Sequence, residues 1–255
     1  MRITLLVNRD LPSHLALSQL VRELGGHELS IFISEKVGSD YRLPPPLMAL
    51  QSFELELLKD GRASFEQLAK TVEGSLQGFI DIDNKVNSRA GIERIKDSQP
   101  DLIISLRFGL IIGQDIIDIP RYGVINLHSG VLPNYRGVMA TLRSMLNGNA
   151  DIGSTLHFIQ DSGIDTGDII SVVTAPLERQ SSYLFNVLSL YGGGVKQIIN
   201  AVRSLSDSTA LQSYPQQGIS GYFTFPTMAE LNRFSGQGHK LFDPQERAKI
   251  NRLYT

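Results

Sequence analysis

Asn126 and His128 stand two residues apart, and a carboxylate, Asp165, follows in the segment Asp161-Ser162-Gly163-Ile164-Asp165-Thr166-Gly167-Asp168. An amide donor, an imidazole and a carboxylate together suit acyl transfer, in which a carbonyl carbon turns tetrahedral and its oxygen becomes an anion. The Asn126 amide can donate to that oxyanion, and losing such a donor costs ~3–4 kcal/mol of barrier. A protonated His128 can donate to the same oxygen or pass a proton to the leaving group. Asp165, if close to the imidazole, favours its charged form and fixes its orientation, or holds a water that collects a proton. Each piece alone is weak: Asn-x-His triplets occur by chance, and an Asp between glycines is ordinarily turn chemistry. The ordered combination, close to apolar runs, gives the set its weight.

Such groups need a sheet to position them. Residues 3–7 are an apolar run of strand length, and Asn8-Arg9-Asp10-Leu11-Pro12 is turn chemistry. Ser13 is expected to cap a helix whose apolar face runs through Leu17, Leu20, Val21 and Leu24, stopped by Gly25-Gly26. Residues 28–34 give a second strand, completing the strand-helix-strand rhythm of a parallel α/β sheet. Pro44-Pro45-Pro46 breaks any element there, while 50–58 and 65–72 have helical spacing. A third strand is expected at 79–83, then a helix capped by Asn87 or Ser88, with Ile92 and Ile95 inward and Pro100 at its end. Strands at 102–106 and 123–127 follow, the latter ending at His128; 137–146 is expected to be helical, and strands at 154–160 and 169–173 flank the acidic loop. Residues 181–205 form one long amphipathic helix, in which Gly192-Gly193-Gly194 either splits it or allows close packing.

In open parallel sheets, ligands bind beyond the carboxyl ends of the strands. The strand period of two puts the Asn126 and His128 side chains on one side, where both can face one substrate atom. The expected fold class is α/β: a Rossmann-like, doubly wound, mostly parallel sheet. Residues 1–206 form the catalytic domain, and 207–255 a C-terminal extension packed on it. In that extension Thr227 with Glu230, and Asp243-Pro244 with Glu246, are helix starts. Tyr222-Phe223-Thr224-Phe225-Pro226 either covers the sheet or joins subunits, which leaves a homodimer open.

A chain of 255 residues with 42% hydrophobic residues can bury a sizeable core. A net charge of −2 with both signs mixed argues against nucleic acid as a partner. The absence of cysteine removes disulfides and thiolate metal sites and fits the cytoplasm. The five histidines, His14, His27, His128, His157 and His239, show no i, i+4 pair, so no metal is expected. The N-terminal apolar run is too short for a signal peptide. No apolar run approaches ~18 residues, so no membrane partner is expected.

The run Asn126-Leu127-His128-Ser129-Gly130-Val131-Leu132-Pro133-Asn134-Tyr135-Arg136-Gly137, the strand from Gly153 through His157 to Ile159, and the acidic loop resemble, in order and spacing, the hallmark of the formyltetrahydrofolate-dependent formyltransferases. That family includes glycinamide ribonucleotide transformylase, methionyl-tRNA formyltransferase and the nucleotide-sugar N-formyltransferases. The match covers about residues 102–173. The resemblance implies the formyltransferase fold, N10-formyltetrahydrofolate as co-substrate, no metal, and formyl transfer to a primary amine. Asn126, His128 and Asp165 take the catalytic places. The pterin pocket maps onto Arg107, Phe108, Gly109, Leu110, Ile111 and Ile112, with Leu132, Ile159, Gln160, Asp161 and Gly163. Leu110, Ile111 and Ile112 suit a core equally well. Tyr135 and Arg136 are assigned to the acceptor, where Arg136 meets an anionic substrate group or forms a surface salt bridge. His157 is read as structural or substrate-facing and stays outside the catalytic set.

Some residues depart from the family pattern. Ser129 stands where the family has Pro or Gly, and Gly130-Val131 replace the commoner Ser-Leu, which should alter the loop's stiffness. The loop at 8–13 lacks the Gly-Ser-rich phosphate cradle of the purine enzyme, which argues against glycinamide ribonucleotide. The tail is short for the β-barrel domain of methionyl-tRNA formyltransferases, and the chain is not basic, which argues against tRNA. The expected acceptor is a small-molecule amine, with an amino sugar on a nucleotide carrier as the candidate. Two other readings stay open: hydrolysis of formyltetrahydrofolate, whose dedicated family enzymes carry an extra N-terminal regulatory domain, and a folate- or nucleotide-binding module without catalysis.

Overall fold

The computed structural model describes residues 1–35, 43–74, 76–79, 81 and 83–254. Its main sheet has seven strands: β1 (Arg2–Asn8), β2 (Glu28–Ser34), β3 (Leu76–Gly78), β4 (Leu102–Leu106), β5 (Val124–His128), β7 (Asp151–Ile159) and β8 (Ile169–Pro176). They lie in the order β3-β2-β1-β4-β5-β7-β8. β1 to β5 run parallel to one another, whereas β7 and β8 are antiparallel additions. The chain moves outward from β1 to β3 and then returns to β4 on the other side of β1. The carboxyl ends of β1 and β4 therefore flank the point where strand order reverses, which is where open α/β sheets form their crevice.

The central strands are apolar throughout because both faces are covered. Leu5, Ile31, Ile104 and Ile125 enter one core, beneath α1 (Leu11–Glu23), α2 (Pro45–Leu58), α6 (Ala140–Leu146) and α7 (Tyr183–Ser206). Their chain neighbours Leu6, Phe32, Ile103 and Val124 enter the other, where Ile95 of α4 (Arg89–Asp97) and Ile116 of α5 (Gln114–Ile117) close it.

Several local readings shift. Asp10, not Ser13, caps α1: its carboxylate accepts from the Ser13 N–H at 2.8 Å, and Pro12 sits inside the first turn. The proline run begins an element instead of breaking one, since α2 starts at Pro45, where the missing N–H belongs to the unpaired first turn anyway. α3 (Phe65–Lys70) opens with a capping box between Ser64 and Gln67. β3 lies at 76–78; of the span expected to be the third strand, residues 80 and 82 lie outside the described residues. Ser88 caps α4. Residues 136–139 are not helical: β6 (Arg136–Gly137) pairs in parallel with β9 (Tyr222–Phe223). Beyond β9 come α8 (Met228–Gly236) and α9 (Arg247–Asn251), which place Phe234 and Ile250 at 0% exposure in the main core.

α7 is unbroken through its three glycines. A β-carbon on Gly194 would stand 2.7 Å from Leu127 Cδ2, and one on Gly193 3.1 Å from Val173. The glycines thus let α7 settle on β5 and β8, and Leu127 sits between Asn126 and His128. Gly194→Val should destabilise the fold by about 1–3 kcal/mol through overpacking, read as a lower thermal midpoint. An unchanged midpoint would mean that α7 does not seat on β5 this closely.

Candidate active site

β5 leaves its last residues at the carboxyl edge of the sheet, with Asn126 and His128 on one face. Both reach the same carboxylate. Asn126 Nδ2 donates to Asp165 Oδ1 at 3.4 Å, and His128 Nδ1 faces Asp165 Oδ2 at 3.4 Å. The antiparallel register sets Asn126 directly opposite His157 on β7. His157 Nε2 lies 3.0 Å from Asn126 Nδ2 and 3.4 Å from Asp165 Oδ1. The structure therefore brings the three residues named from the sequence together and adds His157.

The hydrogen bonds constrain the protons. His157 Nδ1 donates to the Phe158 carbonyl at 2.8 Å, and its Nε2 lies against both the Asn126 amide and the Asp165 carboxylate. His128 Nε2 donates to the Tyr135 carbonyl at 2.6 Å, while its Nδ1 faces a carboxylate. The ring thus has a carbonyl at one nitrogen and a carboxylate facing the other. Burial alone would raise the Asp165 pKa. His128, the hydrogen bond and charge of His157, and the Gly137 N–H more than reverse this, and hold the carboxyl well below its usual range. The resulting stabilisation is fully present above an ordinary Asp pKa of ~3.9 and is lost as pH falls through the depressed folded value.

The loops meet strict steric demands. Asp165 has a positive φ of 53°, and Gln216 Nε2 donates to its carbonyl and to that of Gly167, each at 2.8 Å. The Gly137 N–H donates to Asp165 Oδ2 at 2.8 Å. Gly137 has φ 91°, and a β-carbon there would meet the Phe223 carbonyl oxygen at 2.1 Å, so the β6–β9 pairing needs glycine. At Gly130 a β-carbon would stand 2.7 Å from His128 Nε2 and 2.5 Å from Ala140 Cβ. This departure from the commoner Ser is thus what lets the imidazole sit where it does. The hallmark strand already held His157, but its contact with Asn126 follows from the β5–β7 register, and Gln216 belongs to no motif.

The segments mapped to the pterin are partly gathered. Phe108, Leu110, Ile112 and Ile159 belong to one apolar cluster. Ile112 is in the core at 4% exposure, whereas Ile111 is 56% exposed. The Gly109 N–H donates to Ser34 Oγ at 3.0 Å. Arg107 turns away to Asp10, with Nε to Oδ2 at 2.8 Å. Beside that pair, burial and then the Asp10 charge push the Glu54 carboxyl up to about 7, against the opposing effect of Arg107. Gln160 and Asp168 bond each other, and Asp161 accepts from the Gly163 N–H at 2.7 Å, so these residues shape the exposed acidic loop. Leu132 is buried, its N–H on Thr155 Oγ1 at 3.2 Å. The Tyr135 ring packs inward on Phe223, and its hydroxyl accepts from Asn147 and Asn149 at 3.2 and 2.8 Å, so its contact with the site is its carbonyl. Arg136 is half-buried, and its Nε has no hydrogen-bond partner. Among the described residues no group of three or more His, Asp or Glu side chains is arranged to hold a metal ion, and no helix is long and apolar enough to cross a membrane.

Known proteins resemble both the sequence and the fold. The formyl transferase family model matches residues 70–183. Methionyl-tRNA formyltransferase of Agathobacter rectalis is 34% identical over 175 residues, 67% of this chain and 55% of that protein. The Ralstonia nicotianae enzyme of the same name is 34% identical over 129 residues, 50% of this chain and 38% of its own length. The matched segments thus span 38% to 55% of these relatives. Among solved structures, an N-formyltransferase from Helicobacter canadensis in complex with folinic acid and dTDP-3-aminofucose shares the fold, with a TM-score of 0.56 at 18% identity, over 88% of this chain and 71% of that one. Glycinamide ribonucleotide transformylase 1 from Symbiobacterium toebii does so with a TM-score of 0.58 at 15% identity, over 85% and 94%.

Gly137→Ala tests the β6–β9 buttress. It should lower the thermal midpoint and, by moving a charge-assisted donor off Asp165, reduce catalytic turnover at least about tenfold. Unchanged turnover and midpoint would show that this N–H does not hold the carboxylate.

Proposed function

We propose, from the premise that residues 70–183 belong to the formyl transferase family, that this chain moves a formyl group from N10-formyltetrahydrofolate to the primary amine of a small molecule. The observation that carries this reading is one depressed carboxylate shared by an amide and two imidazoles. The neutral amine attacks the formyl carbon, and a new carbon–nitrogen bond forms as the carbonyl oxygen becomes an oxyanion. Asn126 Nδ2 donates to Asp165 at 3.4 Å and lies 3.0 Å from His157 Nε2. The longer contact is the one to exchange for the oxyanion, while His157 keeps the amide aimed. The His128 imidazolium adds positive charge beside the same oxygen, and Asp165 keeps that ring charged and oriented. Collapse breaks the bond to N10, and the proton lost by the amine ends on that nitrogen, relayed through a water held by Asp165. The apolar wall of Phe108, Leu110 and Ile159, next to the exposed Ile111, suits the flat donor heterocycle.

Arg136 supports an anionic acceptor. It is half-buried and directly beside the Gly137 that holds Asp165. A diphosphate carrier would supply the matching anion, and the Helicobacter canadensis structure is described with an amino sugar on such a carrier. We accordingly assign the acceptor to the nucleotide-linked amino sugars.

Purified protein with N10-formyltetrahydrofolate and a panel of nucleotide amino sugars, glycinamide ribonucleotide and methionyl-tRNA tests this. Formyl transfer to an amino sugar is expected, with turnover reduced about hundredfold or more in Asn126→Ala and folding intact. Transfer to methionyl-tRNA alone would replace the acceptor assignment. Steady deformylation without any amine would make the chain a hydrolase, and donor binding without turnover would make it a binding module.

A further inference from the structure

The fold leaves one aromatic ring beside the catalytic carboxylate without a structural task. β9 is held on both sides of Tyr222: the Arg136 N–H donates to the Gly221 carbonyl and the Val138 N–H to the Phe223 carbonyl, each at 2.8 Å. Phe223 anchors the strand, with its ring stacked on Tyr135 and against the Arg143 guanidinium. The Tyr222 ring takes no part in this. It is 51% exposed, and among the described residues nothing stacks on it and its hydroxyl makes no hydrogen bond.

Its position singles it out. A β-carbon on Gly137 would stand 3.1 Å from Tyr222 Cε2, so the ring lies against that glycine, whose N–H holds the Asp165 carboxylate at 2.8 Å. Tyr222 is also the register partner of Arg136. The chain leading to it passes the site: Tyr214 pairs with Ile169, and Gln216 holds the carbonyls of Asp165 and Gly167. An aromatic face on a fixed backbone thus stands next to both the catalytic carboxylate and the arginine assigned to the anion. Such a ring offers a flat apolar surface with a hydroxyl at its edge, and little side-chain entropy is lost in using it.

We propose that Tyr222 is a specificity-determining residue that seats the amine-bearing ring of the acceptor, with the apolar face of a sugar on the aromatic face. This rests on the reading of the acceptor as a sugar on a diphosphate carrier. The order of groups in such a molecule selects the sugar over the base. The amine must reach the carbon attacked beside Asn126 and Asp165, and the sugar ring carries that amine. The diphosphate follows at Arg136, and the base lies beyond it. A side chain next to both Asp165 and Arg136 therefore meets the sugar. The contact is made equally in the ground state and the transition state, so its loss belongs in KM.

Kinetics and tyrosine-ring NMR on the full chain test this. Tyr222→Ala should raise KM for an amino-sugar acceptor about tenfold and leave kcat, KM for N10-formyltetrahydrofolate and the thermal midpoint nearly unchanged; Tyr222→Phe should restore most of the loss. Ile219→Ala, at a position 90% exposed on the same segment, should have no effect. The Tyr222 ring resonance is the one lost in Tyr222→Phe. It should shift with dTDP-glucose or UDP-glucose, which lack the amine, and not with dTDP or UDP alone. An unchanged acceptor KM in Tyr222→Ala, a Tyr222 resonance that does not move, or one that moves equally with the free diphosphates would overturn the assignment. A shift confined to the nucleotide sugars, with no amino sugar formylated, would support the sugar seat and remove formyl transfer instead.

Discussion

The site depends on keeping a negative charge at Asp165 in a nearly closed position. A carboxylate only 11% exposed would ordinarily protonate. Here the burial penalty is outweighed by His128, by His157 and by the Gly137 N–H. The ionised group in turn gives those partners their reason to converge: two rings and an amide meet it at the end of β5. An unpaired buried charge would be strongly destabilising, so the surrounding polar groups act as a set and not as separate contacts.

The scaffold carries this demand outward. Two antiparallel strands added to a parallel sheet bring His157 opposite Asn126, a register that a further parallel strand would not provide. The residues after 206 complete the arrangement. Tyr222–Phe223 pair with Arg136–Gly137, and Gln216 fixes the left-handed backbone at Asp165. Arg143 on α6 reaches the Thr224 carbonyl at 3.1 Å and pairs with Glu230 on α8, so the same extension is tied to the helix behind the catalytic loop.

Much of this was legible in the sequence, and the exceptions have physical reasons. Continuous apolar runs identified the buried strands, and the period of two placed Asn126 and His128 on one face. The glycine triplet in α7 was ambiguous because propensity alone cannot report a neighbour: Leu127, pressed against Gly194, settles it. Asp10 and Ser13 are both good caps, and which one acts is set by where β1 ends. The β6–β9 pair, two residues on each side, is too short to show periodicity. His157 was visible as a strand residue but not as a partner, since its role follows from strand register. Tyr135 is a polar aromatic on the loop after His128 whose ring is buried and whose carbonyl does the contacting.

The central claim is electrostatic and can be measured without any substrate. Carbon-13 NMR of the Asp165 carboxyl, assigned by comparison with Asp165→Asn, follows its ionisation as pH is lowered. The carboxyl should remain ionised through the region near ~3.9 where an ordinary aspartate titrates. A midpoint at or above that value would mean that the histidines and the Gly137 N–H do not hold the charge, and the account of how these side chains come together would fail.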